Sequence, residues 1–287
     1  MAYALSLNRL KINFIAMKPL LKSVVLILIL SAFTMPDDSE FVTLKNTSFG
    51  KGEVLSYRVN FGFFTVGRAS TVIDNKVFMM NGRPSYKVDA FGETSGMVSW
   101  VTKVNDQWGA YIDTAALVTH VSYRKIREGN YRKDELVTYD HEKNQAEVKV
   151  LDKKTNVYGN PKYYQTPENV RDMVAGFLYM RVFDFNKHKK GDTVSISGFF
   201  EDTAYNLKII YAGKDKVNTK LGKIPCHKLV PVMPDNKLFD GENSITCWIS
   251  DDDNRIPVKI QAKMFIGSTG IELAGIKGLR NQLRILQ

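Results

Sequence analysis

An alternation of apolar and polar residues limits this chain to a largely β architecture. In segment 256–266, apolar residues occupy every second position, and Lys259, Gln261 and Lys263 fall between them. Successive side chains of a strand point to opposite faces, so this pattern predicts a strand with one buried and one solvated face. The same alternation over 56–61 and 205–211 predicts two more strands.

Weaker alternation extends this interpretation along the chain. Turn sequences such as Asn81-Gly82 and Asp240-Gly241 separate the alternating segments. The ten weaker segments lie near 65–74, 84–93, 104–113, 117–127, 131–140, 145–151, 193–200, 222–230, 244–250 and 270–275. Many short strands joined by turns predict a mainly β fold, either a curved antiparallel sheet or a half-open β-barrel-like domain.

One segment, at about 167–183, has helical spacing instead. Thr166-Pro167-Glu168 supplies an N-cap, a proline for the first helical position and an acidic first turn. Apolar residues then recur every three or four positions from Val170 to Val182. A helix this apolar is expected to be enclosed by the sheet. A second, short helix is predicted over 96–102.

The amino-terminal segment has the layout of a secretory signal peptide. A basic stretch at 17–22 precedes an apolar run from Val24 to Leu30 and small residues up to Thr34. The run is shorter than the roughly 20 residues that span a bilayer. We therefore expect 1–34 to be a leader whose true start is Met17. The mature chain is then exported, to the periplasm or the outer membrane, and lacks a transmembrane segment.

The rest of the chain is expected to form one domain. We predict a flexible mature amino terminus over 35–48, a β-rich domain over 49–275 and a tail over 276–287. The domain has possible halves at 49–165 and 183–275, on either side of the helix. The formal charge of the chain is +10, and four of its basic residues lie in the leader. The others are scattered, which is typical of solvated turns and strand faces and predicts no nucleic-acid partner.

The two cysteines, Cys226 and Cys247, lie on strands predicted to be neighbours. Export permits a disulfide, and a bridge that closes a loop of about 20 residues contributes roughly 3 kcal/mol. The alternative is a pair of buried free thiols that pack as small apolar residues.

No motif in the sequence carries recognisable chemistry. Asp251-Asp252-Asp253-Asn254 offers oxygen ligands for Ca²⁺ but has the composition of a turn between two strands, which we favour. The four histidines are far apart, and there is no nucleophile elbow or phosphate-binding loop. We therefore predict no catalytic, metal or cofactor-binding residues, and no cofactor.

Aromatic residues are abundant and have two interpretations. The sequence Phe61-Gly62-Phe63-Phe64 and the tryptophans Trp100, Trp108 and Trp248 either line a pocket for a sugar or a lipid or pack in the core. Core packing is the favoured interpretation for each of them.

Three stretches resemble a known family. They are Gly52 to Gly67, Val170-Arg171-Asp172-Met173 with Phe177 to Arg181, and Trp248 to Val258 with Ile266-Gly267-Ser268. Over about 49–275 the chain is similar to the exported bacterial family called domain of unknown function 3108, with Gly270 as a visible departure. The resemblance implies a mostly β, exported protein without an established activity. Ten residues carry the motifs and look structural: Glu53, Tyr57, Gly67, Asp172, Arg181, Trp248, Asp251, Asp252, Arg255 and Pro257. Glu53 with Arg255, and Asp172 with an arginine, are candidate ion pairs.

These observations leave three hypotheses for function. The first is a non-enzymatic exported binding or carrier protein for an apolar or lipid-like ligand. The second is an envelope structural or assembly factor that acts through protein–protein contacts. The third is an unrecognised hydrolase, whose carboxylates would come together only in the fold. An apolar cavity favours the first, an exposed apolar patch the second, and converging buried titratable groups the third.

Overall fold

The computed structural model describes residues 41–232, 244–264 and 267–286. The predicted leader, its start at Met17 and most of the loop after Pro231 lie outside the described residues. From Val42 onward the chain forms one compact unit.

The fold is built on one antiparallel sheet of 14 strands. The strands are β1 Val54–Phe61, β2 Phe64–Met80, β3 Arg83–Thr94, β4 Asn105–Asp113, β5 Thr119–Glu128, β6 Tyr131–Asp140, β7 Gln145–Val150, β8 Lys162–Gln165, β9 Thr193–Phe200, β10 Thr203–Thr219, β11 Gly222–Pro231, β12 Ile245–Ser250, β13 Pro257–Lys263 and β14 Ser268–Lys277. Strands that follow one another in sequence are paired, except β8 and β9, and β14 also returns to pair with β1. The sheet stays open, with β8 and β9 as its edges.

The predicted fold class is confirmed, and the differences lie at the ends of elements. The thirteen predicted strands are all present, whereas β8 was missed because its short sequence KYYQ has no alternation. The strand predicted at 205–211 continues to Thr219 as β10, past an irregularity in its pairing with β11 between Tyr211 and Lys214.

Two α-helices occur in the described residues: α1 at Val98–Val101 and α2 at Met173–Met180. The prediction that the long helix begins near Pro167 was wrong. Asp172 is the N-cap, because its carboxylate accepts hydrogen bonds from the backbone N–H groups of Val174 and Ala175. The residues before it cannot be helical, since Asn169 has a φ of +52° and Arg171 is bonded to β9.

Helix α2 packs against both halves of the sheet. Val174, Ala175 and Leu178 belong to a buried cluster with residues of β2, β3 and β4. Met180 lies two residues beyond Leu178, on the other side of the helix, and belongs to a second cluster with residues of β9, β10, β11 and β12. The preceding linker joins both sides as well, because the Val170 carbonyl accepts from the Thr119 N–H of β5 and the Arg171 N–H donates to the Ser197 carbonyl of β9.

Hydrogen bonds attach both ends of the domain to the rest of the fold. The Leu44 N–H donates to the Ala115 carbonyl, and Ser48, which falls in the segment predicted to be flexible, is buried. At the other end, Asn281 donates to the Thr47 carbonyl and the Leu286 N–H donates to the Lys223 carbonyl. None of the described helices has the length and apolar character that a bilayer-spanning helix requires.

Candidate functional site: an apolar cavity beside the enclosed helix

A cavity of about 230 Å³ lies between α2 and the first strands of the sheet. Helix α2 forms one wall with Met173, Val174, Phe177 and Leu178. The facing wall comes mainly from β1, β2, β3, β13 and β14, and its side chains are predominantly apolar: Leu55, Tyr57, Ala69, Ile73, Val88, Ala90, Phe91, Trp108, Pro257, Ile260 and Ile271. The interior of the sheet is therefore not completely filled by the helix.

A buried ion pair closes one end of this cavity. Arg181, the C-cap residue of α2, places its two terminal nitrogens 2.5 and 2.9 Å from the carboxylate oxygens of Glu53. Both side chains are almost completely buried. Bidentate pairing of this kind fixes both side chains in one orientation.

Arg181 is also held by three other parts of the chain. Its Nε donates to the Asn254 carbonyl at 3.0 Å, one terminal nitrogen reaches the Ser48 carbonyl at 3.3 Å, and its guanidinium lies 5.0 Å from the centre of the Phe49 ring. Ser48 Oγ in turn donates to the Arg181 carbonyl. The charge at this end is thus satisfied by the protein, and a ligand finds no unpaired cation there.

Among the described residues that line the cavity, Tyr57 carries the one ionisable side chain besides this pair. Burial raises its pKa well above the usual value, and the nearby Arg181 opposes this only in part. The hydroxyl therefore stays neutral at physiological pH. The cavity wall presents apolar surface, one phenol and a neutralised ion pair.

The opposite end of the cavity lies at the start of α2. Met173 lines the cavity and is 38% exposed, so solvent reaches this end. Residues that line the cavity extend along α2 from Met173, its first residue, to Arg181, its C-cap, so the helix borders the cavity over its whole length.

The ten family-motif residues fall into two groups. Around the ion pair, the structure brings together Glu53, Arg181, Arg255 and Asp252. Arg255 donates to Ser48 Oγ at 2.9 Å, and Asp252 accepts from the Arg255 N–H at 3.2 Å. The predicted pair of Glu53 with Arg255 was wrong, because Arg181 occupies both carboxylate oxygens of Glu53. Asp172 pairs with no arginine in the described residues and caps α2 instead, also accepting from Thr119 Oγ1.

The other motif residues serve local structure. Trp248 donates to Asp215 at 2.8 Å, and Gly67 runs so close to β3 that a Cβ would lie 2.4 Å from the Glu93 carbonyl oxygen. Tyr57 and Pro257 line the cavity. Sequence reasoning named Asn254 as part of the 251–254 turn and did not name Ser48, and it missed that both are buried, since nothing in an isolated Ser or Asn signals burial.

The turn 251–254 is held by protein contacts. Asp251 pairs with Lys214 at 2.9 Å and with His227 at 3.0 Å, and Asp252 accepts from Ser250 and from the Asn254 N–H. Within the described ranges, no group of three or more His, Cys, Asp and Glu side chains is arranged to hold a metal ion.

The disulfide predicted between Cys226 and Cys247 does not form, and both cysteines are free and buried. Antiparallel pairing sets Cys226 opposite Ser250 and Cys247 opposite Leu229. An offset of three residues directs the two side chains to opposite faces of the sheet, so they cannot meet. Burial raises the pKa of each thiol to about 12, and both stay protonated.

Buried titratable groups also converge in several places away from the cavity, of which the Arg124–Glu135 pair is one and two others involve a histidine. Tyr211 Oη lies 3.1 Å from Nδ1 of His227, whose other ring nitrogen contacts Asp251. Asp113 lies 3.4 Å from His120. Neither group lines the interior cavity, and both link neighbouring elements of the sheet.

The aromatic residues singled out in the sequence have three outcomes: some line the cavity, some pack in the core, and some are exposed to solvent. Trp108 lines the cavity, and Trp248 packs against a buried cluster between β1, β11, β13 and β14. Phe63, Phe64 and Trp100 do neither, because their side chains are exposed. Core packing was the wrong interpretation for these three residues.

A larger depression of about 740 Å³ lies along β1, β2 and β3. Its lining is mixed, with Ser56, Thr65, Ser70 and Asn105 beside the charged residues Arg58, Arg68, Glu93 and Lys220. Arg58 already pairs with Glu272 at 2.7 Å. Of these two concave regions in the described residues, the interior cavity has the more apolar wall.

Fold and cavity together define a class of protein: an open, barrel-like antiparallel sheet wrapped around one apolar helix. A solved structure of the same kind is the beta-barrel-like protein of domain of unknown function DUF1849 from Brucella abortus. The two align with a TM-score of 0.50 at 8% identity, over 81% of this chain and 99% of the other, which shows a shared fold. The chain belongs to the family described as protein of unknown function (DUF3108), whose model matches residues 56–274. The search of curated proteins gave no match.

Proposed function

We propose that this protein is a non-enzymatic binding or carrier protein of the cell envelope that holds an apolar or lipid-like molecule in its interior cavity. The observation that carries the proposal is the apolar cavity beside α2. Liquid water occupies about 30 Å³ per molecule, so about 230 Å³ corresponds to roughly eight water molecules. Drug-sized ligands occupy roughly 300 Å³ or more. The cavity therefore suits one hydrocarbon chain or a small ring system.

The distribution of charge favours one orientation of the ligand. Arg181 and Glu53 neutralise each other at the closed end. Separating this buried pair costs more free energy than a contact between one of its members and a ligand headgroup would recover. A polar headgroup is better solvated at the exposed end near Met173. An amphiphile is thus expected to enter with its chain toward Arg181 and its headgroup outward.

Calorimetric titration with decanoic acid tests this proposal. Ala90 lines the cavity, and Ala90→Leu fills part of it. The exposed strand residue Ala204 gives a matched control with the same substitution. We expect wild type and Ala204→Leu to bind alike, and Ala90→Leu to bind at least tenfold more weakly, since displacing two methylene groups of the ligand costs about 1.6 kcal/mol. Equal binding by all three, or no binding by the wild type, contradicts the proposal.

An envelope assembly factor that acts through protein contacts is the second candidate. The exposed side chains of Phe63, Phe64 and Trp100 favour it, because monomeric proteins rarely leave grouped aromatics in water. This candidate predicts that Ala90→Leu changes nothing and that in-cell cross-linking captures a partner through these residues.

A further inference from the structure

Exposed apolar side chains collect at one end of the sheet. We call them the aromatic tip, defined as Phe61, Phe63, Phe64, Met97, Trp100 and Val101. Phe63 is fully exposed and Trp100 is 86% exposed. Burying such side chains is worth roughly 1.5–3 kcal/mol each, so their exposure is a cost to the isolated protein.

The residues of the aromatic tip come from two loops that the sheet holds side by side. Phe61, Phe63 and Phe64 belong to the β1–β2 hairpin, whose Gly62 N–H donates to the Ser268 carbonyl at 2.9 Å. Met97, Trp100 and Val101 belong to the β3–β4 connection, which begins where the Ser95 N–H donates to the Val66 carbonyl. Both anchors are backbone hydrogen bonds, so the tip is presented by a rigid frame.

The two loops that form the aromatic tip carry no acidic side chain, and Glu93 and Glu128 lie just beyond them. Segments 59–67 and 95–103 contain no Asp or Glu, and the second ends in the exposed Lys103. The exposed Lys263 ends β13, and it pairs with Ser268 beside the same hairpin. Aromatic residues flanked by lysines are typical of surfaces that enter the interfacial region of a bilayer.

We infer that the aromatic tip docks this protein onto an anionic lipid surface. Phe63, Phe64 and Trp100 enter the interface, while Lys103 and Lys263 face the lipid phosphates. A protruding tip suits a bilayer, since lipids close around a side chain without needing a complementary pocket. This inference rests on the tip alone and holds whether or not the interior cavity binds a ligand.

Flotation with vesicles tests the inference. The protein is purified in the form that the producing cell exports, and intact-mass measurement identifies the residue at which that form begins. We expect wild type to float with mixed phosphatidylcholine–phosphatidylglycerol vesicles. The triple variant Phe63→Ser, Phe64→Ser and Trp100→Ser should bind about a hundredfold more weakly. The control Met79→Ser with Val157→Ser removes exposed apolar side chains elsewhere and should bind like wild type.

Two further readouts separate docking from nonspecific adsorption. Lys103→Gln and Lys263→Gln should each weaken binding about fivefold on the mixed vesicles and have no effect on pure phosphatidylcholine. Brominated lipids should quench wild-type fluorescence but not that of Trp100→Phe. Failure of wild type to float, equal flotation of the triple variant, or equal quenching of Trp100→Phe overturns the inference. Loss of a cross-linked protein in the triple variant without any vesicle binding assigns the tip to a protein partner instead.

Discussion

The two ends of the first strand differ in how their side chains are satisfied. Just before β1, Glu53 is buried in a bidentate pair with Arg181, which also donates to the backbone carbonyls of Ser48 and Asn254. At the end of β1, Phe61 is partly exposed, and its neighbours Phe63 and Phe64 are largely exposed to solvent. The first arrangement stabilises the fold, and the second leaves surface for another molecule. The cavity lies between these two ends.

The largest expected effect is at the ion pair. Arg181→Met leaves the Glu53 carboxylate buried without a partner, which should lower the free energy of unfolding by about 3–5 kcal/mol in urea denaturation. The matched control Arg58→Met breaks the pair with Glu272, whose side chains are 31% and 19% exposed, and should cost less than about 1 kcal/mol. Adding Glu53→Leu to Arg181→Met should restore part of the loss. Equal losses in the two single variants would contradict a stabilising role for the buried end.

A close approach of two strands gives the next effect. A Cβ at Gly270 would lie 2.5 Å from the Ile260 carbonyl oxygen, so Gly270→Ala forces β13 and β14 apart and should cost about 1–3 kcal/mol. At Gly92 in β3 no atom lies within 4 Å of such a Cβ, and Gly92→Ala should be neutral or stabilising by up to about 1 kcal/mol. Thermal unfolding of both variants checks the contrast, and a similar response to both would remove the steric explanation.

Asp113 gives a smaller, pH-dependent effect. Burial by itself raises the pKa of Asp113, but hydrogen bonds from His120, Arg83 and two backbone N–H groups outweigh it and hold the pKa well below the usual value. The carboxylate therefore stabilises the fold above about pH 4, and this contribution is lost as the pH falls toward the folded-state pKa. Asp113→Asn should be less stable than wild type at neutral pH, with the difference shrinking below about pH 4. A difference that stays constant with pH would contradict it.

The smallest effect on stability should be at the aromatic tip. Serine at Phe63, Phe64 or Trp100 removes no buried contact, so each change should alter the free energy of unfolding by less than about 0.5 kcal/mol. Urea denaturation measures this on the variants used for vesicle flotation. A large loss would mean that the tip is part of the packed structure, and the contrast with the Glu53 end would disappear.

Much of the sheet is predictable from sequence because alternation records which face of a strand is buried. The enclosed helix is also predictable, because its residues are apolar on nearly all sides and a helix of this kind is buried. Its start is not, because Asp172 competes with Thr166 as a cap and the pairing of Arg171 with β9 is a tertiary contact. The register that separates Cys226 from Cys247 is likewise fixed by contacts along whole strands.

The candidate site was less accessible to sequence reasoning. An ion pair between Glu53 and Arg181 joins residues 128 positions apart, and many charged residues are equally plausible partners in the sequence. A cavity is a deficit of side-chain volume among residues such as Ala69 and Ala90, which in sequence look like ordinary core positions. The exposed tip was missed because an aromatic residue in a β-rich sequence is most often buried.

Native mass spectrometry of the protein purified without detergent shows whether the interior cavity holds an apolar molecule. We expect a stoichiometric adduct that organic extraction identifies as a lipid-like molecule and that Ala90→Leu reduces while Ala204→Leu retains. A bare protein mass in gently purified wild type, or an adduct unaffected by Ala90→Leu, would contradict it.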